Sequence, residues 1–179
     1  MRTPKNKQTA FAGDVWPVIY ERMRNCSSRV LSAFAGSQKN HDELLWGLTQ
    51  GVGQLAAVLM NTTACEERLT RIGAFVIGWV ESHGLGSADV FTRITAERER
   101  QNELLRQGEI SYTCASPVAD PRRKLRVIVE ELGEVAEALF RLEASNSKVN
   151  RDHLIEELIQ VAAVAVAWLE ALLQPEGNA

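Results

Sequence analysis

Two short acidic motifs in the second half of the chain have the residue types and the spacing of a divalent-metal site. The first places Glu131 and Glu134 three residues apart, and the second places Glu157 and Gln160 three residues apart. In an α-helix, residues three apart lie on neighbouring faces, so both members of a pair can reach one ion. Carboxylate and amide oxygens suit Mg²⁺, which usually keeps waters and substrate phosphates as well. Together the pairs predict a four-oxygen site for Mg²⁺, with Mn²⁺ as a substitute.

The first motif has a simpler alternative, a solvated helix face. Glu130 and Glu134 cluster with a further glutamate away from the apolar positions, and such faces are usually just hydrated. The second motif favours a metal, because Glu157 and Gln160 lie among apolar residues. A partly buried carboxylate needs a partner or a metal. Basic residues are scarce along these segments after Arg126.

Two amphipathic helices position these motifs. Apolar residues alternate in steps of three and four over 125–142, which predicts one core-facing stripe on a helix of about five turns. A second stripe runs over 154–172. Glu131 and Glu157 each stand directly before a leucine of their stripe, at the edge of the core. Antiparallel packing of the two helices would bring the four oxygens around one point.

Loops and helix ends are also marked in the sequence. A polar stretch at 143–150 separates the two helices, and Pro175 and Gly177 are expected to end the second one. Between 161 and 169 the second helix is apolar all round, which predicts burial on several sides. A loop is expected at 113–121, where two prolines fall.

The first half of the chain repeats the plan of the second half, and strand signals are nearly absent from both. Five apolar positions of the stripe at 125–142 have apolar counterparts 80 residues earlier, and Gly53-Gln54 corresponds to Gly133-Glu134. Trp79 likewise lies 89 residues before Trp168. These paired residues favour internal duplication, although any two amphipathic helices share heptad-like spacing. We therefore predict an all-α helical bundle of two related halves, at 10–84 and 86–174.

The composition is that of a soluble globular protein and excludes several classes of function. Of the 179 residues, 45% are apolar and 24% are charged, and the net charge is −3. This charge argues against binding a nucleic-acid polymer, and the longest apolar run is too short to span a membrane. Three cysteines without a C-x-x-C spacing indicate neither a disulfide framework nor a zinc site. Without the apolar segment of a signal peptide, a cytoplasmic location is expected.

The acidic motifs resemble the signature of a known enzyme family. They read Glu-Glu-Leu-Gly-Glu-Val-Ala-Glu-Ala-Leu at 130–139 and Glu-Glu-Leu-Ile-Gln-Val-Ala at 156–162, similar to the E-E-x-x-E … E-x-x-D pattern of the MazG family. The resemblance covers about 89–173, including a Glu-Arg-Glu-Arg-Gln segment similar to that family's first helix. It implies an all-α, Mg²⁺-dependent enzyme that cleaves a nucleoside triphosphate to the monophosphate and pyrophosphate.

The resemblance also assigns roles to individual residues. It implies metal ligands at Glu131, Glu134 and Glu157, with Glu130 as a supporting acid or base. Gln160 stands where the family has Asp, and its carbonyl can coordinate Mg²⁺ only as a neutral dipole. In the implied reaction a water attacks the α-phosphorus in line while pyrophosphate leaves. The expected substrate is a nucleoside triphosphate, with a deoxynucleotide or a modified nucleotide favoured.

The first half holds no such ligand set. Its corresponding positions are Gly51, Gln54, Arg68 and Arg71, and two arginines cannot host Mg²⁺. We expect that half to be inactive and to pack against the active one. Because family members assemble as dimers or tetramers, an internal pseudo-dimer or a homo-oligomer is expected. For the two arginines, a solvated face is favoured over contact with a substrate phosphate.

An alternative function belongs to another class, a non-catalytic interaction or regulatory protein that keeps the MazG-like fold. Gln160 and the degenerate first half both favour it. The three histidines are expected at the surface or at loop edges. Four aromatic residues could stack on a base, although core packing is favoured for each: Trp16, Trp46, Tyr112 and Phe140.

Overall fold

The described part of the polypeptide folds into six α-helices. The computed structural model describes residues 12–34 and 40–173, and all regular secondary structure in those ranges is helical. The all-α prediction is thus confirmed for this part of the chain. The helices are α1 (Ala12–Phe34), α2 (His41–Ala57), α3 (Thr62–Ser82), α4 (Ser87–Gln107), α5 (Pro121–Ala144) and α6 (Lys148–Leu173).

Local sequence signals set several helix ends. Asn40, Asn61 and Asp120 precede α2, α3 and α5, and each side chain accepts a hydrogen bond from a backbone N–H of the following helix, at 3.1, 3.0 and 2.8 Å. Gly108 ends α4 with a φ of 76°, a left-handed conformation that glycine adopts without steric cost. These residues set the starts of α2, α3 and α5 and the end of α4.

The predicted break between the two helices lies within 143–150 but is shorter than that polar stretch. Only residues 145–147 separate α5 from α6. Polar side chains cap the helix ends on either side of the break, because Asn150 Nδ2 donates to the carbonyl oxygens of Arg141 and Ser145 at 3.0 and 2.7 Å. The short connection holds α5 and α6 side by side. The predicted end at Pro175 and Gly177 lies outside the described residues, as do 10–11 and 174.

Helices α3 and α6 form the centre of the bundle. Their mutual contact is the most extensive between any two described helices, and Trp79 and Trp168 are each 1% exposed. Residues 161–169 of α6 are all buried, which confirms the prediction of burial on several sides. None of the helices in the described ranges is long and apolar enough to cross a membrane.

The helix contacts keep the same pattern when the two halves are exchanged. Helix α3 packs against α1 and α2, and α6 packs against α4 and α5. Helix α2 contacts α5, and the contact of α1 with α6 corresponds to that of α3 with α4. One hydrophobic core contains residues from all six helices. The halves therefore share a core, and the division at 10–84 and 86–174 stays a prediction.

Candidate metal centre

Helices α5 and α6 bring three carboxylates together. Glu131 and Glu134 lie about one turn apart on α5, and Glu157 lies on α6. One side-chain oxygen of each residue lies within 4.8 Å of the other two. Glu157 is only 8% exposed, Glu131 is half-buried and Glu134 is exposed. We call these three residues the acidic cluster, a compact set of oxygen donors.

Burial and repulsion disfavour the charged form of Glu131. Burial raises the pKa of Glu131 to about 8, with further contributions from Glu134 and Glu157 and then from Glu130 and Glu97. Its Oε2 atom is buried and has no hydrogen-bond partner in the described part of the chain. A buried oxygen without a partner is destabilising. A proton or a cation would relieve both effects.

Two neighbours on α6 hold the carboxylate of Glu157. His153 Nδ1 lies 3.3 Å from Glu157 Oε1, and Gln160 Nε2 donates to Glu157 Oε2 at 2.6 Å. Burial and the charge of Glu134 raise the pKa of Glu157, whereas His153 lowers it. On its other side, His153 Nε2 lies 3.4 Å from Arg141 Nη1. These contacts along α6 thus hold the carboxylate of Glu157 near Glu131 and Glu134.

Helix α4 adds a carboxylate and a cation to the edge of the acidic cluster. Glu97 accepts hydrogen bonds from Arg100 Nε and Nη2 at 2.6 and 2.8 Å, and from Gln101 Nε2 at 2.8 Å. The hydrogen bonds with Glu97, and to a smaller extent the charges of Glu97 and Glu131, raise the pKa of Arg100. Arg100 therefore supplies a positive charge close to Glu131.

A buried ion pair fixes α4 against α6. The side chain of Arg98 is fully buried and donates from Nε and Nη2 to Glu170 at 3.1 and 3.2 Å. Trp16 Nε1 of α1 donates to the same carboxylate at 2.7 Å. Such two-pronged pairs hold their partners in one orientation. The neighbours of Arg98 on α4, Glu97 and Arg100, are positioned as a consequence.

Two clefts open beside the acidic cluster and share Arg100 and Gln160. The first has a volume of about 430 Å³, lies between the α4–α5 connection and the helices, and reaches Glu131. Several apolar and aromatic side chains line it: Leu104, Ile110, Tyr112, Val127 and Val164. The second has a volume of about 410 Å³, lies between α4 and α6, and is lined in part by Arg93 and Glu97.

The predicted site residues meet, but not all in the expected way. Glu131, Glu134 and Glu157 come together as their spacing indicates. Glu130 is exposed on α5 and affects the acidic cluster through its charge. Gln160 reaches Glu157 through its amide N–H. The roles of Gln160 as a metal ligand and of Glu130 as an acid or base stay predictions.

Sequence spacing alone does not reveal three further residues at the site, Glu97, Arg100 and His153. Glu97 and Arg100 come from a helix distant in the chain, so only the tertiary packing brings them to Glu131. His153 lies four residues before Glu157, which is a usable signal for contact on one helix face. The prediction that the histidines lie at the surface or at loop edges therefore leaves out the contact of His153 with Glu157.

The four aromatic candidates have different surroundings. Tyr112 lines the larger cleft, and Trp16 packs on the core and donates to Glu170. The prediction of core packing is wrong for Trp46 and Phe140, which are 64% and 72% exposed. Both lie on the outward side of their helices, where the apolar stripe towards the core does not reach.

The corresponding positions of the first half hold a different contact. Gln54 and Arg68 stand where Glu134 and Glu157 stand in the second half, and Arg68 Nη1 donates to Gln54 Oε1 at 2.9 Å. Arg71 is exposed. The side chains at these two positions therefore lie close together in both halves. In the second half they are the carboxylates of Glu134 and Glu157, and in the first half they are the amide of Gln54 and the guanidinium of Arg68.

Comparisons with models of known families, with characterised proteins and with solved structures give no match. The features that bear on function are therefore the geometry and electrostatics of the acidic cluster and the clefts beside it.

Proposed function

We propose that this chain hydrolyses a nucleoside triphosphate to the monophosphate and pyrophosphate, with a divalent cation bound by Glu131, Glu134 and Glu157. The proposal depends above all on one observation, the buried Oε2 atom of Glu131 that lacks a partner within a group of three carboxylates. A cation at that atom would offset the repulsion that raises the pKa of Glu131 to about 8.

The donor set fits a hard cation. All three groups are carboxylates, and their oxygens lie within 4.8 Å of one another, close enough to share one ion. Mg²⁺ typically binds through one or two carboxylates together with waters and substrate phosphates. A soft or borderline metal such as zinc would favour thiolate or imidazole ligands, which this set lacks. We therefore assign Mg²⁺, with Mn²⁺ as a functional replacement.

The surroundings of the acidic cluster suit a nucleotide. The cleft of about 430 Å³ reaches Glu131, and its apolar and aromatic walls can take a nucleoside. Arg100 lies in both clefts beside Glu131 and can pair with phosphate oxygens. A nucleotide with its nucleoside in this cleft and its phosphates on Arg100 would have its α-phosphate beside the acidic cluster.

The reaction follows from that placement. A water oxygen bonds to the α-phosphorus while the bond from that phosphorus to the bridging oxygen breaks, and pyrophosphate leaves. The water proton passes to a carboxylate, for which Glu130 is our candidate. The divalent cation, when bound, would neutralise part of the negative charge on the phosphates.

We further propose that the two halves arose by duplication of a MazG-like helical unit, so that the chain is an internal pseudo-dimer. Two observations support this origin. The principal helix contacts are unchanged by exchange of the halves. The Arg68–Gln54 hydrogen bond also joins the positions that correspond to two residues of the acidic cluster. In this account the first half is inactive and supports the second.

A non-catalytic regulatory role is the second candidate, and the hydrogen bond of Gln160 favours it. The amide N–H of Gln160 occupies Glu157 Oε2, which would otherwise be free to bind a cation. A neutral side chain there also lowers the negative charge available to hold Mg²⁺. A protein of this kind would bind nucleotide or a partner without turnover.

Product analysis separates the two candidates. The chain is incubated with a panel of ribo- and deoxynucleoside triphosphates and Mg²⁺ or Mn²⁺ in ¹⁸O-labelled water. We expect pyrophosphate and a labelled monophosphate from at least one nucleotide, and no product after chelation. Release of inorganic phosphate would contradict the proposed bond cleavage. Absence of turnover with every nucleotide and both metals would favour the non-catalytic role.

A further inference from the structure

The outward side of α5 carries a regular exposed stripe. Its positions recur in alternating steps of four and three, the spacing of a coiled-coil seam. Val129 and Phe140 within it are 50% and 72% exposed. All members but the half-buried Ala136 are exposed, and together they form the α5 stripe: Arg122, Arg126, Val129, Gly133, Ala136 and Phe140.

Helix α2 carries a stripe with the same spacing, 80 residues earlier in the sequence. Trp46 is 64% exposed, and Met60, in the turn after α2, is 83% exposed. All six members are exposed, and together they form the α2 stripe: Asp42, Trp46, Thr49, Gly53, Ala56 and Met60. Each stripe thus exposes two large apolar side chains at the spacing of a helix-pairing seam, and exposed apolar residues grouped in this way point to an interaction.

The glycines of the two stripes have no packing role among the described residues. A Cβ atom added to Gly53 or to Gly133 would meet no heavy atom within 4 Å. Glycine in a helix interior is destabilising relative to alanine, and no contact among the described residues requires it at these two positions. Close approach of another helix is what a glycine at such a position permits.

The charges of the two stripes are complementary. The α2 stripe begins with Asp42, next to the exposed Glu43, whereas the α5 stripe begins with Arg122 and Arg126. At the second position Trp46 corresponds to Arg126, and an arginine on an indole face is a favourable pair. With the amino-terminal ends together, pairing of α5 with another α5 would set arginine against arginine. The charges therefore favour α2 of one copy against α5 of another.

We propose that a second copy of this chain covers both stripes, with α2 of each copy lying against α5 of the other and their amino-terminal ends together. A two-fold dimer makes this contact twice, because the same two surfaces occur on each copy. The contact covers Trp46, Met60, Val129 and Phe140. Glu131 lies on the opposite side of α5 from the stripe, so this interface is independent of the proposed reaction.

Sedimentation velocity on the full chain tests the proposal. We expect a dimer at micromolar concentration and a dissociation constant raised about tenfold or more in Phe140→Asp and in Gly133→Leu. The control is Val18→Asp, which alters a 46% exposed valine on α1 and should leave the dimer intact. Circular dichroism should give unchanged helix content. A monomeric wild type at about 100 μM, or full dimerisation of both variants, would overturn the proposal.

A charge exchange tests the pairing itself. Arg122→Glu should weaken the dimer, and adding Asp42→Arg to that variant should restore it, because the pair is then reversed. Higher salt should weaken the wild-type dimer for the same reason. If the single variant dissociates and the double variant does not recover, α2 does not lie against α5 as proposed.

Discussion

Arg68 donates a 2.9 Å hydrogen bond to Gln54, and these two residues occupy the positions that Glu157 and Glu134 occupy in the second half of the chain. The helix pair α2–α3 therefore places side chains at the same meeting point as α5–α6. The α5–α6 pair brings negative charges together, whereas the α2–α3 pair joins a cation to a neutral amide. At this one position the two helix pairs make a similar contact between chemically different side chains.

A matched pair of substitutions tests this difference. Arg68→Ala should leave Mg²⁺ affinity unchanged, because Arg68 is not a cation ligand. Glu157→Ala at the corresponding position should abolish Mg²⁺ binding, because it removes one of three carboxylates. Isothermal titration with Mg²⁺ measures both. A large loss of affinity in Arg68→Ala would mean that the first half takes part in the site.

His153 should strengthen cation binding by orienting Glu157. Its Nδ1 atom lies 3.3 Å from Glu157 Oε1, so His153→Phe should remove that contact and lower Mg²⁺ affinity about tenfold, a usual effect for residues that support a ligand. His153→Asn, which can still donate a hydrogen bond, should recover part of the loss. Equal Mg²⁺ affinity in the wild type and His153→Phe would exclude a positioning role.

Stability without a cation should fall as pH rises. The pKa of Glu131 is about 8 in the fold, well above the ordinary glutamate value of 4.5 that applies to the unfolded chain. Between these values the folded state holds a proton that the unfolded state has released, so the free energy of unfolding decreases with pH. Urea unfolding in the presence of a chelator, from pH 5 to pH 9, measures the slope. Glu131→Gln should flatten it, and an unaltered slope would count against the raised pKa.

Loss of the buried ion pair between Arg98 and Glu170 should destabilise the bundle strongly. Glu170→Gln leaves the fully buried Arg98 without its counter-charge, which typically costs about 3–5 kcal/mol in the free energy of unfolding. Urea unfolding measures the change, with Glu143→Gln on the exposed side of α5 as the control. A change below about 1 kcal/mol would indicate that Arg98 finds another partner or solvent.

The local part of the site could be predicted from the sequence. Glu131 and Glu157 stand beside core leucines of two periodic helices, and periodicity alone indicates which side faces the bundle. The contribution of α4 could not be predicted in the same way. Glu97 and Arg100 lie more than thirty residues before Glu131 in the sequence, and their approach depends on the buried Arg98–Glu170 pair.

The outward surfaces were harder to predict than the core. Trp46 and Phe140 are large and apolar, so core packing is the natural expectation for each. Their exposure follows from position, since both fall on the side of the helix opposite the buried stripe. Polarity indicates the break within 143–150 but overstates its length, because Asn150 lies in α6 and caps the end of α5.

The most direct test of the proposed function compares pyrophosphate release by Glu157→Gln and Glu143→Gln with that of the wild type, at saturating Mg²⁺ and with the preferred nucleotide. Both variants remove one negative charge with almost no change in shape, but only Glu157 belongs to the acidic cluster. We predict a loss of about a hundredfold or more in Glu157→Gln and wild-type turnover in Glu143→Gln, with equal helix content. Full activity of Glu157→Gln would contradict the assignment of the acidic cluster as the catalytic metal centre.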